Sequence, residues 1–151
     1  MLGLIVLTMS LFATAFGGTW TCAVHPPTTV KQPHVLYSTW RIAPAPGGRW
    51  TAVTWGTRAE PGGLAYVGYD GARKLWIYDD YHFDGSFYRD FSTGPDRNGT
   101  WRWYGTADQW HLDRSDGPVS WKRAGARAFI QTYRAMRAGK LRDFGYARCS
   151  R

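Results

Sequence analysis

The chain has 151 residues, of which 44% are hydrophobic and 20% charged, and it carries a formal net charge of +8. That length supports one hydrophobic core and excludes two ordinary domains. From Asp96 onward there are twelve Lys and Arg against five Asp, whereas the preceding residues carry seven against six. The basic last third suits an ordinary solvated surface, and equally anionic lipid headgroups, acidic polysaccharide or nucleic acid.

The first stretch, Met1 to Gly18, has no charged side chain and is apolar from Leu2 to Phe16. It has the length of a signal-peptide core and is short for a membrane span. Ala13-Thr14-Ala15 is a small-x-small site, so the expected organisation is a leader at residues 1–15 and a single β-barrel domain at 16–151. The usual positive flank is missing apart from the terminal amine. This leaves open a different start, an uncleaved anchor, or a buried element of the fold. Cys22 follows Thr19-Trp20-Thr21, which is no lipobox. Export would place the protein in the periplasm or outside the cell, and it argues against nucleic acid as a partner despite interleaved residues such as Trp101-Arg102-Trp103. No transmembrane segment is expected after the leader.

Beyond the leader, β-branched and aromatic segments alternate with Gly, Pro, Asp and Asn at intervals of roughly 8–12 residues, the pattern of an all-β fold. Strands are predicted at Thr19–His25, His34–Ala43, Arg49–Thr57, Leu64–Tyr69, Lys74–Tyr81, Ser86–Ser92, Thr100–Ala107, Val119–Arg123, Arg127–Met136 and Leu141–Cys149. The turns fall at Pro44 to Gly48, Glu60-Pro61-Gly62-Gly63, Asp70-Gly71, Asp84-Gly85, Asn98-Gly99 and Ala138-Gly139-Lys140. Asp-Gly and Asn-Gly tolerate the positive φ that tight hairpins demand. In the second segment Leu36, Ser38, Trp40 and Ile42 share one face and look like a core stripe. The alanines and arginines between Ala124 and Ala138 also suit an amphipathic helix, although we read them as a hairpin arm.

Only two cysteines occur, Cys22 and Cys149. In an exported chain such a pair reads as a disulfide, the alternative being two unrelated buried thiols. About ten consecutive strands would leave two edges exposed in an open sheet. A bond between the first strand and the last is what a closed antiparallel meander permits, with a two-sheet sandwich as the alternative.

Three short motifs carry a resemblance: Phe16-Gly17-Gly18-Thr19-Trp20-Thr21-Cys22, Gly47-Gly48-Arg49-Trp50 and Val67-Gly68-Tyr69-Asp70. They look like a group of secreted bacterial domains of unknown function in which a final Cys followed by a basic residue, here Cys149-Ser150-Arg151, closes the domain. The resemblance implies a calycin-like barrel of about 8–10 strands, related in shape to lipocalins and nitrobindins, and it brings no assigned chemistry. Gly18-Thr19-Trp20 is similar to the Gly-x-Trp of lipocalins, whose indole plugs the barrel base beneath a stacked arginine. If Cys22 pairs with Cys149, then Trp20 and Arg151 share a face while Arg148 points away, which makes Arg151 the expected partner of Trp20.

Nine Trp, nine Tyr and seven Phe exceed what a core of this size obviously needs. Either they pack the interior solid or some of them line a pocket. Trp40, Trp55, Trp76, Tyr78, Trp101 and Trp103 sit mid-strand and are the candidate walls for a small apolar or aromatic ligand. The densest polar cluster holds Asp80, His82 and Asp84, whose spacing of two puts all three on one side of an extended chain. They are weak candidates for acid–base work or for metal ligation, and Asp90 and His111 join them only if the fold brings them close. Ordinary explanations, a hairpin turn for Asp84 and a solvated rim for the other two, compete with that reading. Nitrobindin-like barrels hold haem through a His near the C-terminus. No His follows His111, so haem is disfavoured and no cofactor is expected. There is no Gly-x-Ser-x-Gly, and Asn98-Gly99-Thr100 is a glycosylation sequon relevant only to a eukaryotic secretory route.

The leading expectation is a ligand-binding barrel without catalysis. Its rivals are an envelope-associated carbohydrate- or membrane-binding protein and an enzyme or metal site on the Asp80/His82/Asp84 rim.

Overall fold

The computed structural model describes residues 10–25, 35–59, 61–105, 119–137 and 140–151, with the backbone alone considered at 133–137 and 140–144. A short helix, α1 (Leu11–Phe16), precedes ten strands: β1 (Gly18–His25), β2 (Leu36–Pro44), β3 (Trp50–Gly56), β4 (Pro61–Asp70), β5 (Leu75–His82), β6 (Phe87–Ser92), β7 (Trp101–Gly105), β8 (Val119–Arg123), β9 (Ala128–Arg137) and β10 (Lys140–Ser150). Each strand pairs antiparallel with the next, and β1 pairs with β10, so the sheet is a closed meander barrel. Closure leaves no edge to template aggregation. Among the described residues no helix is long and apolar enough to cross a membrane.

The staple lies at the seam. Cys22 stands directly opposite Cys149, and the two are bonded with their Cα atoms 4.0 Å apart. Both side chains are fully buried, because both point inward. The stretch from Ala128 to Arg137 is strand β9, which pairs with β8 and β10, so its ambiguous composition resolves to sheet. Tertiary pairing overrides the helix propensity of its alanines. The turn expected at Ala138-Gly139 lies outside the described residues.

Aspartates set several of the turns. The carboxylate of Asp96 accepts from the backbone N–H of Asn98 (2.8 Å) and of Thr100 (3.0 Å), and from the Arg102 guanidinium. Asp84 Oδ1 accepts from the N–H of Ser86 at 2.8 Å and from its hydroxyl at 2.6 Å. Asp70 Oδ1 accepts from the N–H of Ala72 and of Arg73, and positive φ falls on Lys74 (57°). The Asp70-Gly71 pair therefore opens a longer turn rather than forming the centre of a two-residue hairpin. Asp here works as a side-chain cap, a role that its sequence partnership with Gly conceals. Pro61-Gly62-Gly63, expected as turn, is the start of β4. A Cβ on Gly63 would meet the Trp55 ring at 2.3 Å and the carbonyl oxygen of Tyr81 at 2.7 Å, so the glycines make room for an indole laid across the strand.

The base of the barrel is packed solid. Trp20, Trp101, Trp103, Trp121 and Phe129 are almost wholly buried, and α1 sends Phe12 and Phe16 among them. Phe12 touches Phe16 (4.9 Å between centroids), Trp101 (5.3 Å), Trp121 (5.3 Å) and Trp103 (5.8 Å). Six residues cannot hold a helix by propensity alone, so this one exists through its packing. The Trp20 indole N–H donates to the Phe16 carbonyl at 2.7 Å, tying α1 to β1. Arg151 stacks over Trp20 at 4.3 Å, with Arg123 at 5.1 Å, and Arg151 also donates to the Gly17 carbonyl at 2.9 Å. Burial and the neighbouring Arg151 charge lower the pKa of Arg123. Gly18 has φ +129°, and a Cβ there would strike Arg151 Nη1 at 2.3 Å, which gives the Gly-x-Trp spacing a local physical reason.

Candidate functional site

The opposite half of the barrel is hollow. A cavity of about 500 Å³ is walled by Trp40, Trp55, Tyr78, Trp103 and Trp121, with Val24, Val119 and Ala147 supplying smaller apolar surface. Its position follows from strand parity. Inward residues near the base are large, whereas Val24, Ala147 and Val119 are small, and no described residue refills the space they leave. The aromatic walls touch one another: Trp40 meets Trp121 at 5.4 Å and Trp55 at 6.1 Å, and Tyr78 meets Trp103 at 5.3 Å.

Polar groups occupy one side. Tyr78, Asp80 and His82 alternate along β5 and face the interior beside Asp90 on β6, which pairs with Tyr78. Nε2 of His82 donates to Asp80 Oδ2 at 3.1 Å, and the His82 ring stands edge-on to Trp55 at 5.5 Å. The bond to Asp80 raises the pKa of His82 against the opposing effect of its partial burial, helped by the Asp80 and Asp84 charges. Burial pushes the Tyr78 hydroxyl well above its ordinary value, and the Asp80 and Asp90 charges add to the effect. Asp80 Oδ1 and the indole N–H groups of Trp40, Trp103 and Trp121 are buried without a hydrogen-bond partner among the described residues. Orphaned buried groups are uncommon in folded proteins and point to water or a ligand.

Of the residues picked out by sequence, Trp40, Trp55, Tyr78, Trp103, Asp80 and His82 line this cavity, and Asp90 joins them. Trp76 and Trp101 lie one layer deeper, 5.0 Å apart and outside the lining. Asp84 does not share the site. The strand ends at His82, the alternation stops there, and the Asp84 carboxylate faces Ser86. Its pKa is lowered by those Ser86 hydrogen bonds. His111 lies outside the described residues, among which no three His, Cys, Asp or Glu side chains gather closely enough to hold a metal ion. Sequence reading passed over Trp121 and Gln131, which face the cavity side by side from β8 and β9. Trp121 was accessible by parity, being central in its predicted strand. Gln131 carried no such signal.

The chain matches no known family model and no curated protein.

Proposed function

We propose that this is an exported calycin-like barrel that binds a small apolar or aromatic molecule in its interior and performs no catalysis. The observation that carries the reading is the cavity of about 500 Å³ behind Trp40, Trp55, Tyr78, Trp103 and Trp121, within the size range of small-molecule sites. A ten-stranded closed meander and the Gly18-x-Trp20 motif under a stacked Arg151 support the calycin kinship. The Cys22–Cys149 disulfide supports an oxidising compartment, as does the apolar N-terminal stretch.

The test is energy transfer from tryptophan to the neutral probe N-phenyl-1-naphthylamine. Saturable transfer is expected in the intact protein. It should be lost in Ala147→Leu, whose added carbons grow into the cavity, and kept in Arg148→Ala, whose side chain faces outward. No saturable transfer in the intact protein would overturn the reading.

A further inference from the structure

The charges inside the cavity run against those of the whole molecule. The protein carries a net +8, yet the charged side chains lining the cavity are Asp80, Asp90 and His82, with no Lys or Arg among the described lining residues. Burying a carboxylate beside four tryptophans is costly unless something positive or hydrogen-donating meets it. Asp80 is half met. One oxygen accepts from His82, while the other is buried and has no partner among the described residues. Asp90 stands on the adjacent strand, two residue pairs along, and its charge reaches Tyr78 together with that of Asp80. The aromatic walls favour the same sign, since the faces of indole and phenol rings attract cations, and more strongly where water is excluded.

We propose that the ligand is a protonated amine carried on a flat aromatic or apolar body, with its ammonium group seated at Asp80 Oδ1. An ammonium N–H supplies the missing donor, its charge is balanced by Asp80, and its hydrocarbon body fills the tryptophan-lined remainder. The indole N–H groups of Trp40, Trp103 and Trp121 take an acceptor on the ligand, such as a hydroxyl or carbonyl, or water. An anionic ligand would satisfy those three donors but would face two carboxylates at close quarters. Charge therefore decides between the two. The inference rests on the cavity being a ligand site, and the test separates the failure of one from the failure of the other.

The experiment measures displacement of N-phenyl-1-naphthylamine at pH 7 by three compounds of one shape: 2-(1-naphthyl)ethylammonium, neutral 2-(1-naphthyl)ethanol and anionic 1-naphthylacetate. The ammonium compound is expected to bind at least tenfold tighter than the alcohol and the acetate weakest. Asp80→Asn should cut the ammonium-to-alcohol affinity ratio at least tenfold, and Asp90→Asn should lower it as well. An alcohol or acetate that binds as tightly as the ammonium compound overturns the charge assignment and leaves the cavity reading standing, as does an affinity ratio unmoved by both substitutions. Failure of the probe itself to bind removes both. The comparison within the intact protein stands even if a variant does not fold.

Discussion

Replacing Phe12 by alanine isolates the contribution of α1 to the barrel. The ring is wholly buried and is surrounded by Phe16, Trp101, Trp103 and Trp121, with centroids between 4.9 and 5.8 Å away. Three of those four neighbours are fixed on strands of the closed sheet, so they cannot fall inward to fill the vacated space. The loss should therefore reach the usual Phe→Ala range of about 3–5 kcal/mol rather than fall below it. Against a total stability of about 5–15 kcal/mol this is a large fraction. With a denaturant slope of about 2 kcal/mol per molar urea, the midpoint should fall by about 2 M. Leu11→Ala on the same helix is the control: its side chain is half exposed, and the expected change is within about 0.5 kcal/mol. Urea unfolding of the full chain with the disulfide oxidised, followed by near-ultraviolet circular dichroism, reads both variants. Equal midpoints for the two would refute the packing argument. A chain that begins at Phe16, the product of cleavage after Ala15, lacks Phe12 and Ala13 altogether and should lose at least as much. The intact mass of the protein purified from its own host identifies which form is made.

The paired substitution of Cys22 and Cys149 by serine should lower the urea midpoint. The closed loop spans a sequence separation of 127, for which chain entropy sets an upper value of about 5 kcal/mol. An unchanged midpoint in the double variant, or in the native protein under reductant, would contradict it. His82 should titrate by NMR above its ordinary value of 6.5, and Asp80→Asn should bring the midpoint down. Because the folded pKa is the raised one, the pair's contribution to stability is fully present below about 6.5 and is lost as pH rises through the folded value. The stability gap between the native protein and His82→Gln should accordingly be wider at pH 5.5 than at pH 8.5. A His82 midpoint at or below 6.5 would dispose of the argument.

What could be read from the residues alone divides along physical lines. All ten strands were legible because most turn chemistry is local: Asp70-Gly71, Asp84-Gly85 and Asn98-Gly99 each stand between two aromatic runs and each falls between two strands. Closure was legible in part from the cysteines: a Cys22–Cys149 bond is what neighbouring first and last strands permit, the sandwich alternative stayed open in the sequence, and the pairing of β1 with β10 decides for the barrel. The start of β4 was not legible. Gly62-Gly63 has turn composition, and what keeps it in the sheet is the ring of Trp55 from another strand. Helix α1 lies within the stretch read as leader, and composition alone carries no sign of the contacts that Phe12 makes with Trp101 and Trp121. In the cavity, spacing of two placed Asp80 and His82 on one face, but it carried Asp84 along past the point where the strand stops. Depth was the other blind spot: Trp101 and Trp103 alternate on one strand, yet only Trp103 reaches the hollow half.

Plug and hollow are two consequences of one geometric fact. A barrel's width grows with strand number, and at about eight strands side chains just fill the interior. Ten strands enclose more than their own inward residues occupy, so the surplus must be filled or left open. At the base it is filled twice over, by five large aromatics on the strands and by Phe12 and Phe16 from α1. In the other half the small Val24, Val119 and Ala147 stand among the aromatic walls, and among the described residues no helix is inserted there and buried polar atoms remain without partners. A molecule bound in that half would stabilise the folded state by mass action, since the unfolded chain has no cavity to offer it. On the proposed reading the solid base is the floor against which an occupant would be held, and the wide, closed sheet turns the excess aromatic content of the sequence into walls.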